Sequence, residues 1–240
     1  MDFDMWEKWY NEILDDFGFS REYDEFSAKT LNNILKEENN LSLEELTEYI
    51  NLVKNTNKFI VFGAGPSLKE HINKIRDALD DYILIAADGA TSALIEERII
   101  PEIITTDLDG KLDDLLAAND RGSIVVIHAH GNNFNQIVNY TPYFNNILGT
   151  TQSKPFENIY NFGGFTDGDR AIFLAIALGA KEIILAGMDF GTVVTRYSRP
   201  NLPDILGSAD EIKVKKLEYA EKLTKWIKNN EKINLINLKD

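Results

Sequence analysis

The chain has 240 residues, 25 Lys and Arg against 39 Asp and Glu, and a formal net charge of −14. That balance argues against a nucleic-acid or anionic-membrane partner, and the absence of cysteine removes disulfides, zinc thiolates and a thiol nucleophile. A hydrophobic content of 44% suffices for a substantial core, while no uncharged run approaches membrane-spanning length.

The N-terminus, MDFDMWEKWYNEILDD, is acidic and amphipathic, with no basic stretch leading into an apolar one. It does not read as a signal peptide, and a cytoplasmic protein is expected. Residues 1–56 read as helical throughout. Trp6, Tyr10, Ile13, Leu14 and Phe17 share one helical face, and Leu31, Ile34 and Leu35 form a second series. Ser42 and Glu45 form a capping box for a third helix through Leu46, Tyr49, Ile50 and Val53. This region is expected to be a helical appendage, acting as a cap or as a candidate homodimer face.

From Lys58 the pattern changes to alternating strands and helices, so 57–240 reads as one α/β domain. Strands are expected at 59–63, 82–88, 102–107, 123–130, 182–189 and 233–238, with a weaker one at 158–164. Helices are expected at 67–79, 91–97, 112–118, 133–139, 169–178 and 209–229. Near-continuous apolar strands between helices indicate a doubly wound, mostly parallel, Rossmann-like sheet. Such sheets bind ligands beyond the carboxyl ends of their strands, and every informative polar cluster falls at such an end.

GAGPSLKE (63–70) offers a turn at Gly63 and Gly65, with Ser67 and Glu70 as a capping box. It suits a phosphate at a helix N-terminus and a plain tight turn equally; Leu68 stands where a dinucleotide fingerprint needs glycine. In AADGAT (86–91), Asp88 ends a strand, Gly89 turns the backbone and Thr91 can cap a helix. TTDLDG (105–110) places Asp107 and Asp109 two apart, on one face of extended backbone. Like charges so placed repel unless a cation sits between them, and Mg²⁺ takes one or two carboxylates with phosphate oxygens and waters.

In HAHGNN (128–133), His128 and His130 share a face, but no third soft ligand is near, so with Asn132 they suit substrate contacts better than zinc. His71 reads as an incidental surface residue. In GGFTDGDRA (163–171), Thr166 or Asp167 would cap a helix, and Arg170 near its N-terminus opposes the helix dipole unless it meets an anion. Asp189, in GMDFG (187–191), again follows a strand. Asp88, Asp107, Asp109, Asp167 and Asp189 thus project from one rim, the pattern that Mg²⁺-dependent phosphoryl or pyrophosphoryl transfer needs. Asp88, Asp107, Asp109 and Asp167 are the expected metal ligands or their close neighbours. Asp167 and Asp189 are the candidate general bases.

AADGAT, TDLDG and FTDGD, in this order, resemble the three acidic motifs of thiamine pyrophosphokinases: an Asp-Gly-Gly-Ala, a Gly-Asp-Phe-Asp-Ser and a Thr-Asp before a helix. Here Ala90 replaces a glycine and Gly110 the serine. GAGPSL and HAHGN resemble the archaeal-type 6-hydroxymethyl-7,8-dihydropterin pyrophosphokinases, which share that core, and this similarity covers most of the chain. The resemblance implies transfer of diphosphate from ATP to a pterin hydroxymethyl group with Mg²⁺ or Mn²⁺, releasing AMP, in folate or tetrahydromethanopterin biosynthesis. ATP would then meet Gly63, Gly65, Ser67, Asp88, Gly89, Thr166 and Arg170. Two other readings stand beside it. GAGPSL is also similar to a nucleotide-binding turn of bacterial sialyltransferases and flagellin-modifying proteins, which would make the chain a nucleotide-sugar glycosyltransferase. A non-catalytic nucleotide-binding subunit is the third.

Overall fold

Residues 1–37 and 40–240 are described by a computed structural model; residues 38 and 39, inside the stretch read as helical, lie outside the described residues. The helices α1 (Phe3–Phe17), α2 (Arg21–Leu35) and α3 (Leu43–Val53) precede β1 (Lys58–Phe62). There follow α4 (Leu68–Ile75), β2 (Ile83–Ala87), α5 (Ala90–Glu96), β3 (Ile103–Thr106), α6 (Leu112–Asn119), β4 (Ile124–Ala129) and α7 (Phe134–Tyr140). The chain continues through β5 (Ile147–Thr151), β6 (Ile159–Tyr160), α8 (Asp167–Ala177), β7 (Glu182–Ala186), β8 (Val193–Thr195), β9 (Leu206–Ser208), α9 (Glu211–Asn230) and β10 (Asn234–Asn237).

Eight of these strands form one sheet in the order β10-β7-β1-β2-β3-β4-β5-β6, and every pairing in it is parallel. Successive strand residues face opposite ways, and the apolar clusters divide accordingly. Phe59, Val61, Ile83, Ile85 and Ile103 pack under α1, α3, α8 and α9. Ile60, Phe62, Leu84 and Ala86 pack under α4 and α5, and Ile104, Val125, Ile127 and Ile147 under α2, α6 and α7. Both faces are covered, which is why the strands are apolar throughout. β8 and β9 pair antiparallel as a separate ribbon.

The apolar faces of α1 and α2, offered by the sequence as a dimer surface, are used inside the chain. Trp6, Tyr10, Ile13, Leu31 and Leu35 are all buried in its own core. Among the described residues no helix is long and apolar enough to cross a membrane.

Three local expectations are corrected. β5 was not anticipated, because Gly149 interrupts ILGTT, and glycine is depleted in strands. Its place is forced by packing: a Cβ there would stand 2.6 Å from Leu35 Cδ1 and 2.7 Å from Ile159 Cδ1. The β8–β9 ribbon was not anticipated either. Of the weak strand at 158–164, two residues pair, as β6.

Candidate active site

A cavity of about 690 Å³ opens at the carboxyl ends of the strands. Its lining comes from the loops after β1, β2, β3, β4 and β7, the first turn of α8, one face of α9, and the turn between α1 and α2. Asp88, Asp107, Asp109, Asp167 and Asp189 all face it.

Asp88 follows β2, and Asp107 and Asp109 follow β3; each offers an oxygen, and the three oxygens lie within 4.8 Å of one another. The expected extended geometry is not what pairs Asp107 with Asp109. β3 ends at Thr106, and Leu108 between them is left-handed, with φ 67°. That conformation is costly for a branched residue. It persists because the Leu108 side chain is 3% exposed in the apolar layer, and its amide donates to Thr106 Oγ1 at 2.8 Å. The Asp109 amide turns back onto Asp107 Oδ1 at 3.3 Å.

Asp88 is buried; its Oδ2 accepts from Thr106 Oγ1 at 2.7 Å, while its Oδ1 has no hydrogen-bond partner among the described residues. Burial first, then Asp107 and Asp109, push its carboxyl up to about 8. Burial and Asp107 likewise raise Asp109 to about 6. Burial also acts to raise Asp107, but His130, whose Nε2 is 3.1 Å from Oδ2, holds it at about 2. Gly110 has a steric reason to stand where the resemblance led one to expect serine: a Cβ there would meet Asp88 Oδ1 at 1.7 Å.

Asp167 opens α8 beside this trio without joining it, and burial, then Asp107, Asp88 and Asp109, raise its carboxyl well above the usual range. Thr166 is the N-cap of α8; Asp169 reaches back to accept from the amides of Thr166 at 2.8 Å and Phe165 at 2.6 Å. Arg170 is buried and donates to Gln152 Oε1 at 3.2 Å. Burial lowers it to about 10, opposed by Asp169, Asp167, Asp107 and Asp24. The carboxylates around Arg170 act on it through their charge, and its side-chain hydrogen bond is to Gln152.

The glycine turn is more committed than its sequence suggested. Gly63 N donates to Ala186 O at 2.8 Å, Gly65 N to Gly187 O at 2.9 Å, and Ser67 N to Asp189 Oδ2 at 3.1 Å. Ser67 does not form the expected capping box with Glu70; its hydroxyl donates to Asp189 Oδ2 at 2.9 Å instead. Asp189 also pairs with Lys239 at 3.0 Å, so it is held apart from the trio by its own partners. His71, expected at the surface, is 4% exposed, and its Nδ1 accepts from Gly187 N at 3.1 Å. Thr91 is not the cap of α5: Gly89 takes that position, and Thr91 is buried inside the helix.

His128 and His130 stack with centroids 5.6 Å apart, and Asn132 is exposed at the cavity's edge. Burial, then Arg170, drives the His128 ring well below its ordinary value, so it is neutral. Asn133 fixes this corner by donating to Asp107 O at 2.8 Å and His128 O at 2.6 Å.

Several lining residues were not foreseen. Lys213 and Lys216 of α9 bring positive charge to a cavity rich in carboxylates; their i, i+3 spacing on one helix face was the available signal. Lys216 lies 5.7 Å from the Phe165 ring centroid. From α2, Asp24 is buried and accepts from Tyr10 Oη at 2.6 Å, Gln152 Nε2 at 2.8 Å and Gly131 N at 2.7 Å. A helix read as a cap therefore supplies part of the site.

The family model described as 6-hydroxymethylpterin diphosphokinase MptE-like matches residues 29–195. The chain belongs to this family. A 6-hydroxymethyl-7,8-dihydropterin pyrophosphokinase from Methanothermobacter thermautotrophicus is 52% identical over 230 residues, covering 96% of this chain and 97% of that one. The protein of the same name from Methanocaldococcus jannaschii is 45% identical over 244 residues, covering 98% of this chain and all of that one. Among solved structures, a glycosyltransferase from Magnetospirillum magneticum AMB-1 aligns over 76% of this chain and 33% of its own at 17% identity. Its TM-score is 0.48, too loose a likeness to carry an argument. In this MptE-like chain the matched stretch holds the carboxylate trio and both stacked histidines, whereas Asp24, Lys213 and Lys216 enter the cavity from outside it.

Proposed function

We propose that the protein transfers diphosphate from ATP to the hydroxymethyl group of 6-hydroxymethyl-7,8-dihydropterin, with Mg²⁺, releasing AMP. The observation that carries the metal-dependent reading is Asp88 Oδ1, a buried carboxylate oxygen without a partner, set within 4.8 Å of oxygens from Asp107 and Asp109. An all-carboxylate donor set suits a hard cation such as Mg²⁺ or Mn²⁺. Those three residues would hold it. When bound, it supplies neutralisation of the phosphate charge and orientation of the phosphates.

The chain's own groups account for the rest. Lys213 and Lys216 screen the negative charge that ATP brings. The acceptor oxygen bonds to the β-phosphorus, the bond from that phosphorus to the α,β-bridging oxygen breaks, and AMP leaves with the oxygen. The hydroxyl proton goes to a carboxylate. Of the two candidates, Asp167 fits better: it adjoins the trio, whereas Asp189 is engaged with Ser67 and Lys239.

The test is product analysis after incubation with Mg-ATP and the pterin. AMP in step with a pterin diphosphate is expected. ADP in its place, from attack at the γ-phosphorus, overturns the assignment.

A further inference from the structure

The sheet order splits the cavity at the carboxylate trio. On one flank lie the ends of β1 and β7, with Gly63, Gly65 and Gly187; on the other lie the ends of β4 and β5, with His128 and Gln152. The strand order reverses between β1 and β7, and that crevice is where a doubly wound sheet receives a nucleotide. The second flank has a different chemistry.

His128 is 3% exposed, yet among the described residues its Nε2 has no hydrogen-bond partner, while its Nδ1 lies 3.5 Å from Thr150 Oγ1. Buried polar atoms in folded proteins are nearly always paired, so an orphan at a cavity wall marks a place where a ligand supplies the partner. Among the described residues the Arg170 side chain makes one hydrogen bond, to Gln152 Oε1, out of the five N–H donors a guanidinium carries. Gln152 is fixed from its other end by Asp24, itself fixed by Tyr10 and Gly131. Asp24 is thus a positioning residue for the Arg170 donors. An aromatic residue stands on the same flank: Tyr23 sits against Gly131, whose missing Cβ would lie 2.8 Å from Tyr23 Cβ.

We propose that the planar bicyclic ring of the acceptor binds on the β4–β5 flank, its polar edge answered by His128 Nε2 and the free Arg170 N–H groups, with Tyr23 at the mouth. The inference rests on the pterin reading above and adds to it which wall recognises the ring. ATP then lies across the β1–β7 flank, and the acceptor hydroxyl meets it over the trio.

The experiment measures KM for pterin and for ATP separately in three variants of the full chain. His128→Phe keeps a ring but removes Nε2, and His128→Gln restores a polar group at about the same reach. Tyr23→Ala alters a residue that is 68% exposed, so folding is not at stake there. The expected result is a pterin KM about tenfold higher in His128→Phe, the worth of one hydrogen bond. Partial recovery is expected in His128→Gln and a smaller rise in Tyr23→Ala, with the KM for ATP unmoved in all three. A pterin KM unchanged in the His128 and Tyr23 variants overturns the subsite and leaves the function standing, as would follow if a buried water satisfied Nε2. A rise in the KM for ATP that matches the rise for pterin overturns it too. Absence of pterin turnover in the unaltered protein removes the function, and the subsite with it.

Discussion

Thr106 Oγ1 donates to Asp88 Oδ2 at 2.7 Å, and it accepts from the Leu108 amide at 2.8 Å. One hydroxyl thereby ties the carboxylate at the end of β2 to the strained turn that carries the two after β3. In Thr106→Val the shape is kept while both bonds are lost. A fall in turnover of about 10- to 100-fold is expected, the usual cost of losing a group that orients a ligand. Thr106→Ser should retain most activity. Turnover of Thr106→Val at the level of the unaltered protein would remove the hydroxyl from the site.

Asp109→Asn and Asp107→Asn preserve size and remove charge. Both should fold, melt cooperatively and lose about 100-fold or more in turnover. Their apparent affinity for Mg²⁺, read from the metal dependence of the residual rate, should fall. Unchanged turnover in either variant contradicts a metal-binding role for that residue.

The raised carboxylates make stability depend on pH. Asp88, at about 8 against an ordinary 3.8, keeps its proton in the folded chain after the unfolded chain has lost it. Its contribution is fully present below about pH 4 and is lost as pH rises through 8. His71 and His128, both lowered from 6.5, act in the opposite sense, and theirs is lost as pH falls below that value. Well above pH 6.5 the histidines are neutral in both states, and Asp88 acts together with Asp167, raised in the same direction. With a chelator present, Tm should fall between pH 6.5 and 8.5; added Mg²⁺ should raise it more at pH 8.5 than at 6.5. A flat or rising Tm in chelator would show that Asp88 is not proton-bound.

Lys213→Gln removes a positive charge from the cavity and keeps much of the stem. The KM for ATP should rise about tenfold, a typical value for one charge-assisted bond, and should become less sensitive to salt. The KM for the pterin should not move. Equal effects on both substrates would take Lys213 out of a phosphate-screening role.

His71→Phe leaves the Gly187 amide buried without an acceptor. A loss of about 1–3 kcal/mol in unfolding free energy is expected from denaturant melts. Stability equal to that of the unaltered chain would mean the amide finds another partner.

The mostly parallel sheet and the rim of aspartates were legible because both are written locally, in apolar runs ending at Asp88, Asp107 and Asp189. β5 was not, since Gly149 breaks the pattern for a packing reason that lies in Leu35 and Ile159, far away in sequence. Leu108 hid the turn between the two carboxylates: a branched apolar residue signals extended backbone, and its left-handed φ is held by burial and by the Thr106 hydroxyl, neither of which the local pattern shows. His71 read as a surface residue, and Asp24 and Lys213 drew no reading from the sequence. Each faces the cavity or its supports through contacts that no periodicity encodes.

α1 meets α9 across the whole length of the chain. Tyr219 Oη lies 2.9 Å from a Glu12 carboxylate oxygen and 2.5 Å from one of Asp16, sharing its one proton between them, and Lys215 donates to the Asp16 carbonyl at 2.7 Å. On the ribosome, α1 emerges about two hundred residues before α9 and waits for it before it can take its seat. Until then Trp6, Tyr10 and Ile13 have no complete apolar bed, and the corner that carries Asp24 is without support. Synthesis thus leaves a sticky amphipathic segment uncovered for most of its course, the condition that recruits chaperones. A nascent chain stalled before residue 219 should be readily cleaved near its N-terminus, and one released beyond it should not.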